Sequence, residues 1–186
     1  RHGRRTALNT PTLAAEGSWE LRPTGCAILF IDIAGSLRIT RQLGDARAYH
    51  VLKFLSNAIR PAETNTGRVV RSLGDGVLLT FRTVDEALAH AATAQREVAG
   101  CSPSDITLKI RCGIHWGSVI QADGDIFGVA VYLASRVTNH ANGGEILLTD
   151  AAHAASGRGP DVFIDFGPTL LPGFDEPVRV FEYLWD

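Results

Sequence analysis

The hydrophobic and polar positions of the chain follow different periods, and these periods divide it into strands and helices. An almost unbroken apolar run over Cys26–Ile33 predicts a central strand that is buried on both faces. Apolar residues then recur every three or four positions over residues 37–59, which predicts helical structure that ends before a proline. Gly44 and Asp45 predict a break in that stretch, with Asp45 capping the second helix.

A hairpin and a further helix follow. Two short apolar runs, Val69–Leu73 and Val77–Phe81, flank Gly74–Gly76, and an Asp-Gly pair between such runs predicts a β-hairpin. Thr83 and Glu86 have the spacing of a capping box, which predicts the start of an alanine-rich helix.

The second half of the chain predicts more strands and helices. Alternation over Leu108–Ile114 predicts a strand, and Ser118–Gln121 is predicted to continue the sheet after a glycine turn. Later patterns predict a helix over about 127–140, a short helix over 151–156, and strands at 145–148, 162–166 and 178–184. The order predicts an α+β fold: a ferredoxin-like βαββαβ sheet with helices packed on it, extended by a C-terminal helix and strand section.

Composition limits the class of protein. The chain has 186 residues, which suits one domain, and we expect a linker or tail at residues 1–23 and the domain at 24–186. Eighteen basic residues against 20 acidic ones exclude the basic footprint of a nucleic-acid-binding domain. No apolar stretch reaches the ~18 residues of a membrane span, so we expect a cytoplasmic domain without membrane contact. Three cysteines without metal-ligand spacing predict buried thiols rather than disulfides.

Asp32 and Asp75 are the first candidates for chemistry. A carboxylate in a buried apolar strand is costly unless it is paired or binds a cation, and Asp75 lies in the hairpin expected beside that strand. Two acids on neighbouring strands offer oxygen ligands to Mg²⁺ or Mn²⁺. Taken alone, Asp75 is also explained as an ordinary turn residue, and Asp32 as a satisfied buried acid or a helix cap.

Six segments together resemble the catalytic domain of the class III nucleotidyl cyclases, the adenylate and guanylate cyclases. The segments occur in the family's order over residues 24–185, and they are Leu29–Ser36, Val70–Gly76, Ile110–His115, Asp125–Gly128, Ala134–Arg136 with Gly143–Leu147, and Gly173–Val178. The resemblance implies cyclisation of a nucleoside triphosphate, most simply ATP, to a 3′,5′-cyclic nucleotide such as cAMP and pyrophosphate.

The resemblance also implies the metal and phosphate ligands. Two divalent metal ions, Mg²⁺ or Mn²⁺, are expected on Asp32, Asp75 and the backbone carbonyl of Ile33. Three further residues are expected to bind the phosphates: Arg111, Gly35 and Ser36. Spacing alone favours the interpretation of Arg111 as an ordinary arginine on a strand face.

Two residues on one predicted helix face are implied in catalysis. Arg136 matches the arginine that the family directs at the α-phosphate, although spacing alone also fits a solvated arginine. Tyr132, four positions earlier, replaces a family asparagine, and its hydroxyl can still donate a hydrogen bond. Pro172 is a second departure, because the family often has a lysine there.

Base recognition is implied for Arg71 and Asp125. A carboxylate at Asp125 favours a base with an exocyclic amine, which adenine and cytosine both present. ATP is therefore the expected substrate. The alternatives are a cyclase for GTP or a pyrimidine nucleotide, and a catalytically weak regulatory domain that binds nucleotide, since one donor lost from such a site costs about 10²-fold in rate.

Two classes of partner are also implied. The family's site is shared between two catalytic domains, so we expect a homodimer with two equivalent sites at its interface. We expect a fused sensor or regulatory module, because the chain begins without Met and with a linker-like segment.

Overall fold

A mixed sheet of eight strands forms the centre of the molecule in the computed structural model, which describes residues 24–60, 67–101 and 106–186. The linker or tail predicted at residues 1–23 lies outside the described residues. The strands are β1 (Thr24–Ile33), β2 (Gly67–Ser72), β3 (Gly76–Phe81), β4 (Ile110–Ala122), β5 (Asp125–Phe127), β6 (Ile146–Thr149), β7 (Phe163–Thr169) and β8 (Val178–Tyr183). The helices are α1 (Ser36–Leu43), α2 (Asp45–Ala58), α3 (Val84–Gly100), α4 (Val129–His140) and α5 (Asp150–Ala155), with a 3₁₀ turn at Pro160–Val162.

The strand order is β2-β3-β1-β4-β6-β8-β7, and β5 pairs with β4. The pair β4–β6 is parallel, while β1 is antiparallel to both of its neighbours, β3 and β4. The order β2-β3-β1-β4 is that of a ferredoxin-like unit, and β6 to β8 extend it. The predicted α+β fold class is confirmed.

Strand β1 is buried on both faces, as its apolar run predicts. Leu29 and Ile31 belong to the core shared with α2 and α3, whereas Ile28 belongs to a second cluster with Val131 and Ala134 of α4. Because side chains alternate along a strand, Asp32 lies on the same face of β1 as Ile28, which is the face that α4 covers.

Helix α3 begins as the sequence predicts. The side chain of Thr83 accepts a hydrogen bond from the backbone N–H of Glu86, and the Glu86 carboxylate accepts one from the backbone N–H of Thr83. This reciprocal capping box satisfies two N–H groups that the first helical turn leaves without partners.

Three local predictions are wrong. The glycine turn expected between residues 114 and 118 is absent, because β4 runs unbroken through Gly117. A Cβ at Gly117 would lie 2.7 Å from Nε2 of His115 and 2.8 Å from Cβ of Ala130, so this glycine permits close packing rather than a turn. Asp45 starts α2 but makes no capping hydrogen bond. Cys101 is exposed at the end of α3, although the other two cysteines are buried as predicted.

None of the helices in the described ranges is long and apolar enough to cross a membrane.

Candidate active site

The two predicted metal-binding acids lie at the same end of neighbouring strands. Asp32 is opposite Gly76 in the β1–β3 ladder, and the backbone N–H of Ile33 donates to the backbone carbonyl of Asp75 at 3.2 Å. The hairpin turn therefore places Asp75 beside the end of β1, as the sequence predicts.

Gly76 allows β3 to lie very close to β1 beside Asp32. A Cβ at Gly76 would lie 2.7 Å from the carbonyl oxygen of Ile31 and 3.3 Å from Oδ1 of Asp32. Within the described residues, no group of three or more histidine, cysteine, aspartate or glutamate side chains could hold a metal ion. Asp32, Asp75 and the Ile33 carbonyl fit a Mg²⁺ or Mn²⁺ ion only where a ligand such as a phosphate completes the oxygen shell.

Arg111 forms an ion pair with Asp32. It lies opposite Asp32 in the β1–β4 ladder, its Nε donates to Oδ2 at 2.9 Å, and its Nη2 donates to the same oxygen. The two side chains are 29% and 24% exposed, so the pair is partly shielded from water. Arg111 thus balances the charge of Asp32 on one side, while Oδ1 faces Gly76 on the other. The sequence did not predict this contact.

The predicted phosphate-binding residues Gly35 and Ser36 form the start of α1. Gly35 has φ 73° and ψ 34°, and no side chain caps the helix. The first-turn N–H groups and the positive end of the helix dipole are therefore available to an anion.

Arg71 and Asp125 contact each other within one chain. Nη2 of Arg71 lies 3.1 Å from Oδ1 of Asp125, which also accepts a hydrogen bond from the backbone N–H of Ile126 at 2.8 Å. A bulge in β2 between Val69 and Arg71 shifts the register, so that Arg71 pairs with Leu78. The bulge turns Arg71 to the opposite face from Val69, toward β5.

The β4–β5 hairpin is held against β2 by a second arginine. Nη2 of Arg68 donates to the carbonyl of Gly124 at 2.8 Å, and Nη1 donates to Oε1 of Gln121 at 3.3 Å. These bonds hold the turn that precedes Asp125 and thereby support the contact with Arg71.

Tyr132 and Arg136 lie one turn apart on α4. The helix packs directly on β4 at Gly113. A Cβ at this glycine would clash with Oγ1 of Thr138 on α4, so the close packing requires glycine. Tyr132 is 67% exposed, and Arg136 is half-buried. Within the described ranges, Arg136 forms neither a hydrogen bond nor an ion pair.

The candidate residues thus lie on two groups of elements, which we call the first and the second set. The first, at the ends of β1 and β3, is Asp32, Ile33, Gly35, Ser36, Asp75 and Arg111; the second, on β2, β5 and α4, is Arg71, Asp125, Tyr132 and Arg136. In the described part of the chain, no hydrogen bond or ion pair joins the two sets.

An exposed apolar surface adjoins each set. Phe127 and Val129 flank the second set and are 53% and 70% exposed. Tyr49 is 59% exposed and lines, with Lys53 and Asp75, a cavity of ≈ 390 Å³ beside the first set. These exposed side chains are accessible to a second chain.

His115 is a buried structural histidine. It lies within β4, and its Nδ1 is 2.8 Å from Oγ1 of Thr149, which also accepts from the backbone N–H of Ala152 at 3.3 Å. Burial lowers the pKa of His115 to about 4, against an opposing effect of Asp150.

Two cationic residues near the first set were not singled out from the sequence. Arg38 and Lys109 line a cavity of ≈ 340 Å³ beside Gly35. The alternation of polar residues 107, 109 and 111 with apolar neighbours is the sequence signal that places Lys109 on one side of the chain with Arg111.

Comparison with known proteins identifies the family. A family model, "Adenylate and Guanylate cyclase catalytic domain", matches residues 22–173. The chain is 29% identical over 164 residues to "Putative adenylate cyclase 3" from Rhizobium meliloti, covering 84% of this chain and 28% of that protein. It is 31% identical over 125 residues to an adenylate cyclase from Streptomyces griseus, covering 67% and 31% of the two chains. The chain thus spans about a third of the length of these relatives.

A solved structure agrees. The crystal structure of an adenylate/guanylate cyclase/hydrolase from Silicibacter pomeroyi superposes with a TM-score of 0.69 at 30% identity, covering 88% of this chain and 98% of that one. The family match extends over most of the chain, and it includes both acids at the ends of β1 and β3. The chain therefore belongs to the adenylate and guanylate cyclase catalytic domain family.

Proposed function

We propose that this domain converts ATP into 3′,5′-cyclic AMP and pyrophosphate, with two divalent metal ions and as a homodimer. The observation that carries the reaction is the position of Asp32 and Asp75 at adjacent strand ends, where Gly76 lets β3 lie close to β1. The adenylate cyclase names of the relatives support ATP as the substrate.

In this reaction the ribose 3′-oxygen attacks the α-phosphorus, the bond from that phosphorus to the bridging oxygen breaks, and pyrophosphate leaves with the bond's electron pair. The hydroxyl proton is released. When bound, Mg²⁺ or Mn²⁺ supplies Lewis-acid activation of the hydroxyl and neutralises phosphate charge. Asp32, Asp75 and the Ile33 carbonyl would hold these ions.

The arginines act on the phosphate charge. Arg136, which has no partner among the described residues, would donate to the α-phosphate oxygens, where charge builds in the transition state. Arg111 would donate to the triphosphate, helped by the backbone N–H groups at Gly35 and Ser36. Arg111 gives one N–H each of Nε and Nη2 to Asp32, and its remaining N–H groups would donate to the phosphates.

Asp125 supports the choice of base. Its Oδ1 is occupied by Arg71 and Ile126, and in the described part of the chain Oδ2 has no partner. An ionised carboxylate only accepts hydrogen bonds, so Oδ2 suits an exocyclic amine such as that of adenine.

The separation of the two sets supports a shared site. Each set carries groups that the reaction needs, and no described bond joins them within one chain. The exposed surfaces at Val129 and Tyr49 would bring the first set of one chain to the second set of its partner. A twofold axis would then create two equivalent sites. We also propose a fused sensor or regulatory module, because the matched region covers only 28% and 31% of the two relatives.

Product analysis tests this proposal. The purified domain is incubated with Mg²⁺ or Mn²⁺ and, separately, with ATP, GTP, CTP and UTP, and cyclic products are read by mass spectrometry. We expect cyclic AMP from the wild type, none from Asp75→Asn, and wild-type yield from Asp161→Asn, an exposed aspartate in the 3₁₀ turn before the edge strand β7.

Two other outcomes have clear meanings. A cyclic product from a nucleotide with another base would support the cyclisation reaction and contradict ATP as the substrate. If no nucleotide gives a product although nucleotides still bind, the proposed enzymatic activity is contradicted and the alternative of a regulatory nucleotide-binding domain is favoured.

A further inference from the structure

A cationic cavity adjoins the metal-binding acids. It has a volume of ≈ 340 Å³ and is lined by Ala34, Gly35, Arg38, Thr107, Lys109 and Gly143. It begins two residues beyond Asp32 in sequence, at the turn between β1 and α1.

Arg38 folds back over the start of α1. A Cβ built on Gly35 would lie 3.5 Å from Nε and 3.9 Å from Nη2 of Arg38. The guanidinium therefore lies beside the positive end of the helix, and the first turn of α1 contains no acidic residue. Two positive groups in this arrangement repel each other unless an anion lies between them.

Lys109 approaches the cavity from the other side. Its carbonyl accepts a hydrogen bond from the backbone N–H of Ala34 at 2.9 Å, which joins the start of β4 to the end of β1. Residues 107, 109 and 111 alternate with buried neighbours, so Lys109 projects on the same side as Arg111, about 7 Å along the chain.

Gly143 leaves room for the lysine side chain. A Cβ at Gly143 would lie 2.9 Å from Cβ and 3.2 Å from Cδ of Lys109. The stem of Lys109 therefore lies along Gly143, a position that a larger residue would obstruct.

Neither cation is neutralised within the described residues. Arg38 and Lys109 form no ion pair or side-chain hydrogen bond there, in contrast to Arg111, which is paired with Asp32. Among the residues that the structure describes, the cavity thus holds two cations and a helix N-terminus without a counter-charge, a combination that binds polyphosphates.

We propose that Arg38 and Lys109 bind the terminal phosphates of the nucleoside triphosphate and of the pyrophosphate that leaves. This inference rests on the proposed function for its substrate. The cavity receives the end of the substrate that is furthest from the base, while Asp32 and Asp75 lie at the phosphorus that reacts.

Pyrophosphate binding tests this role without turnover. Isothermal titration calorimetry with inorganic pyrophosphate and Mg²⁺ is carried out on the wild type, Arg38→Gln, Lys109→Gln and the double variant, and repeated with AMP. We expect each single variant to weaken pyrophosphate binding about 2- to 5-fold and the double variant about 10-fold, as for partly exposed ion pairs. AMP, which lacks the terminal phosphates, should bind all four proteins equally.

Matched variants separate this role from net charge. Arg41→Gln removes the same charge from the same helix, but Arg41 does not line the cavity, so its pyrophosphate affinity should equal that of the wild type. Lys109→Arg, which keeps the charge, should retain binding. Equal affinity of the double variant and the wild type would overturn the proposal, as would a wild type that does not bind pyrophosphate.

The product assay on the same proteins distinguishes the two proposals. A wild type that binds pyrophosphate through these residues but forms no cyclic nucleotide would contradict the proposed function and leave the phosphate site standing. If the wild type forms cyclic AMP but the double variant binds pyrophosphate as tightly as the wild type, the phosphate site is contradicted and the proposed function stands.

Discussion

Nη2 of Arg71 lies 3.1 Å from Oδ1 of Asp125, and this contact connects β2 to the short strand β5. It depends on the bulge after Val69, which turns Arg71 to the face on which β5 lies. One oxygen of Asp125 is thereby occupied, and the other has no partner among the residues that the structure describes. The position of that free oxygen leads to the first prediction.

Asp125→Asn should weaken the preference for ATP. The amide replaces a charged acceptor with a group that can also donate, so kcat/KM for ATP should fall about 10- to 100-fold while the value for GTP falls much less. Steady-state assays of cyclic AMP and cyclic GTP measure both. Asp123→Asn is the matched control, since Asp123 is exposed in the same turn at φ 50°, a conformation that asparagine tolerates. An unchanged ratio of the two substrates would exclude Asp125 from base selection.

Complementation should show that the site is shared between chains. Asp75→Asn and Arg136→Gln should each be inactive, but their co-expression should restore about a quarter of wild-type activity. Half of the dimers then contain both variants, and each of those has one intact site of two. Co-expression of Asp75→Asn with Asp32→Asn should restore nothing, because both variants damage the same set. Recovery in this second mixture, or none in the first, would contradict the shared site.

Tyr132→Asn should leave kcat unchanged or raise it. Tyr132 is 67% exposed, so the change should alter the free energy of unfolding by less than about 0.5 kcal/mol. The asparagine amide offers a donor in less space, whereas Tyr132→Phe removes the donor and should lower kcat about tenfold or more. Initial rates at saturating substrate measure both variants. Loss of activity in Tyr132→Asn would show a catalytic role that belongs to the tyrosine itself.

Gly76→Ala should destabilise the fold and abolish activity. The added Cβ would lie 2.7 Å from the carbonyl oxygen of Ile31, which is backbone and can move only with β1. We expect a loss of about 1–3 kcal/mol in the free energy of unfolding, measured by urea denaturation. Gly100→Ala is the matched control: it meets open space at the end of α3 and should stabilise by up to about 1 kcal/mol. Equal stability of the two variants would contradict the close approach at Gly76.

His115 should make stability depend on pH below neutrality. Burial lowers its pKa in the folded state from the usual 6.5 to about 4, so between these values the unfolded chain binds a proton that the folded chain does not. The free energy of unfolding should therefore fall as the pH falls from 6.5 to 4, by at most about 3 kcal/mol, and level off below that. Denaturant titrations at several pH values measure this loss.

Two variants isolate the contribution of His115. His115→Gln should remove that part of the pH dependence, while His50→Gln, at an exposed position, should keep it. Parallel pH profiles for the wild type and His115→Gln would show that this buried imidazole does not titrate as described.

Much of this protein could be predicted from local patterns. The apolar run of β1, the Asp-Gly hairpin and the capping box at Thr83 each specify an element within a few residues, because strand, turn and helix termini depend on neighbouring side chains. Asp32 was recognisable as a candidate because a charge in such a run is costly.

Other features depend on residues that are distant in sequence. The pairing of Asp32 with Arg111 follows from the β1–β4 register, and the face of Arg71 follows from a bulge. Gly117 suggests a turn by composition, yet it lies within β4 because Ala130 of α4 packs against it. A glycine serves a turn and a close contact equally well, so only the helix that packs there distinguishes them.

The sequence by itself therefore determined the elements, the ferredoxin-like order and the identity of the candidate acids. Only the tertiary structure decided which charged side chains form ion pairs and on which face of the sheet residues such as Arg71 lie. It also placed Arg38 and Lys109 in one cavity. The physical reason is that hydrophobic periodicity shows only on which side of its own helix or strand a residue lies. Strand register, bulges and helix packing set the distances between residues of different elements.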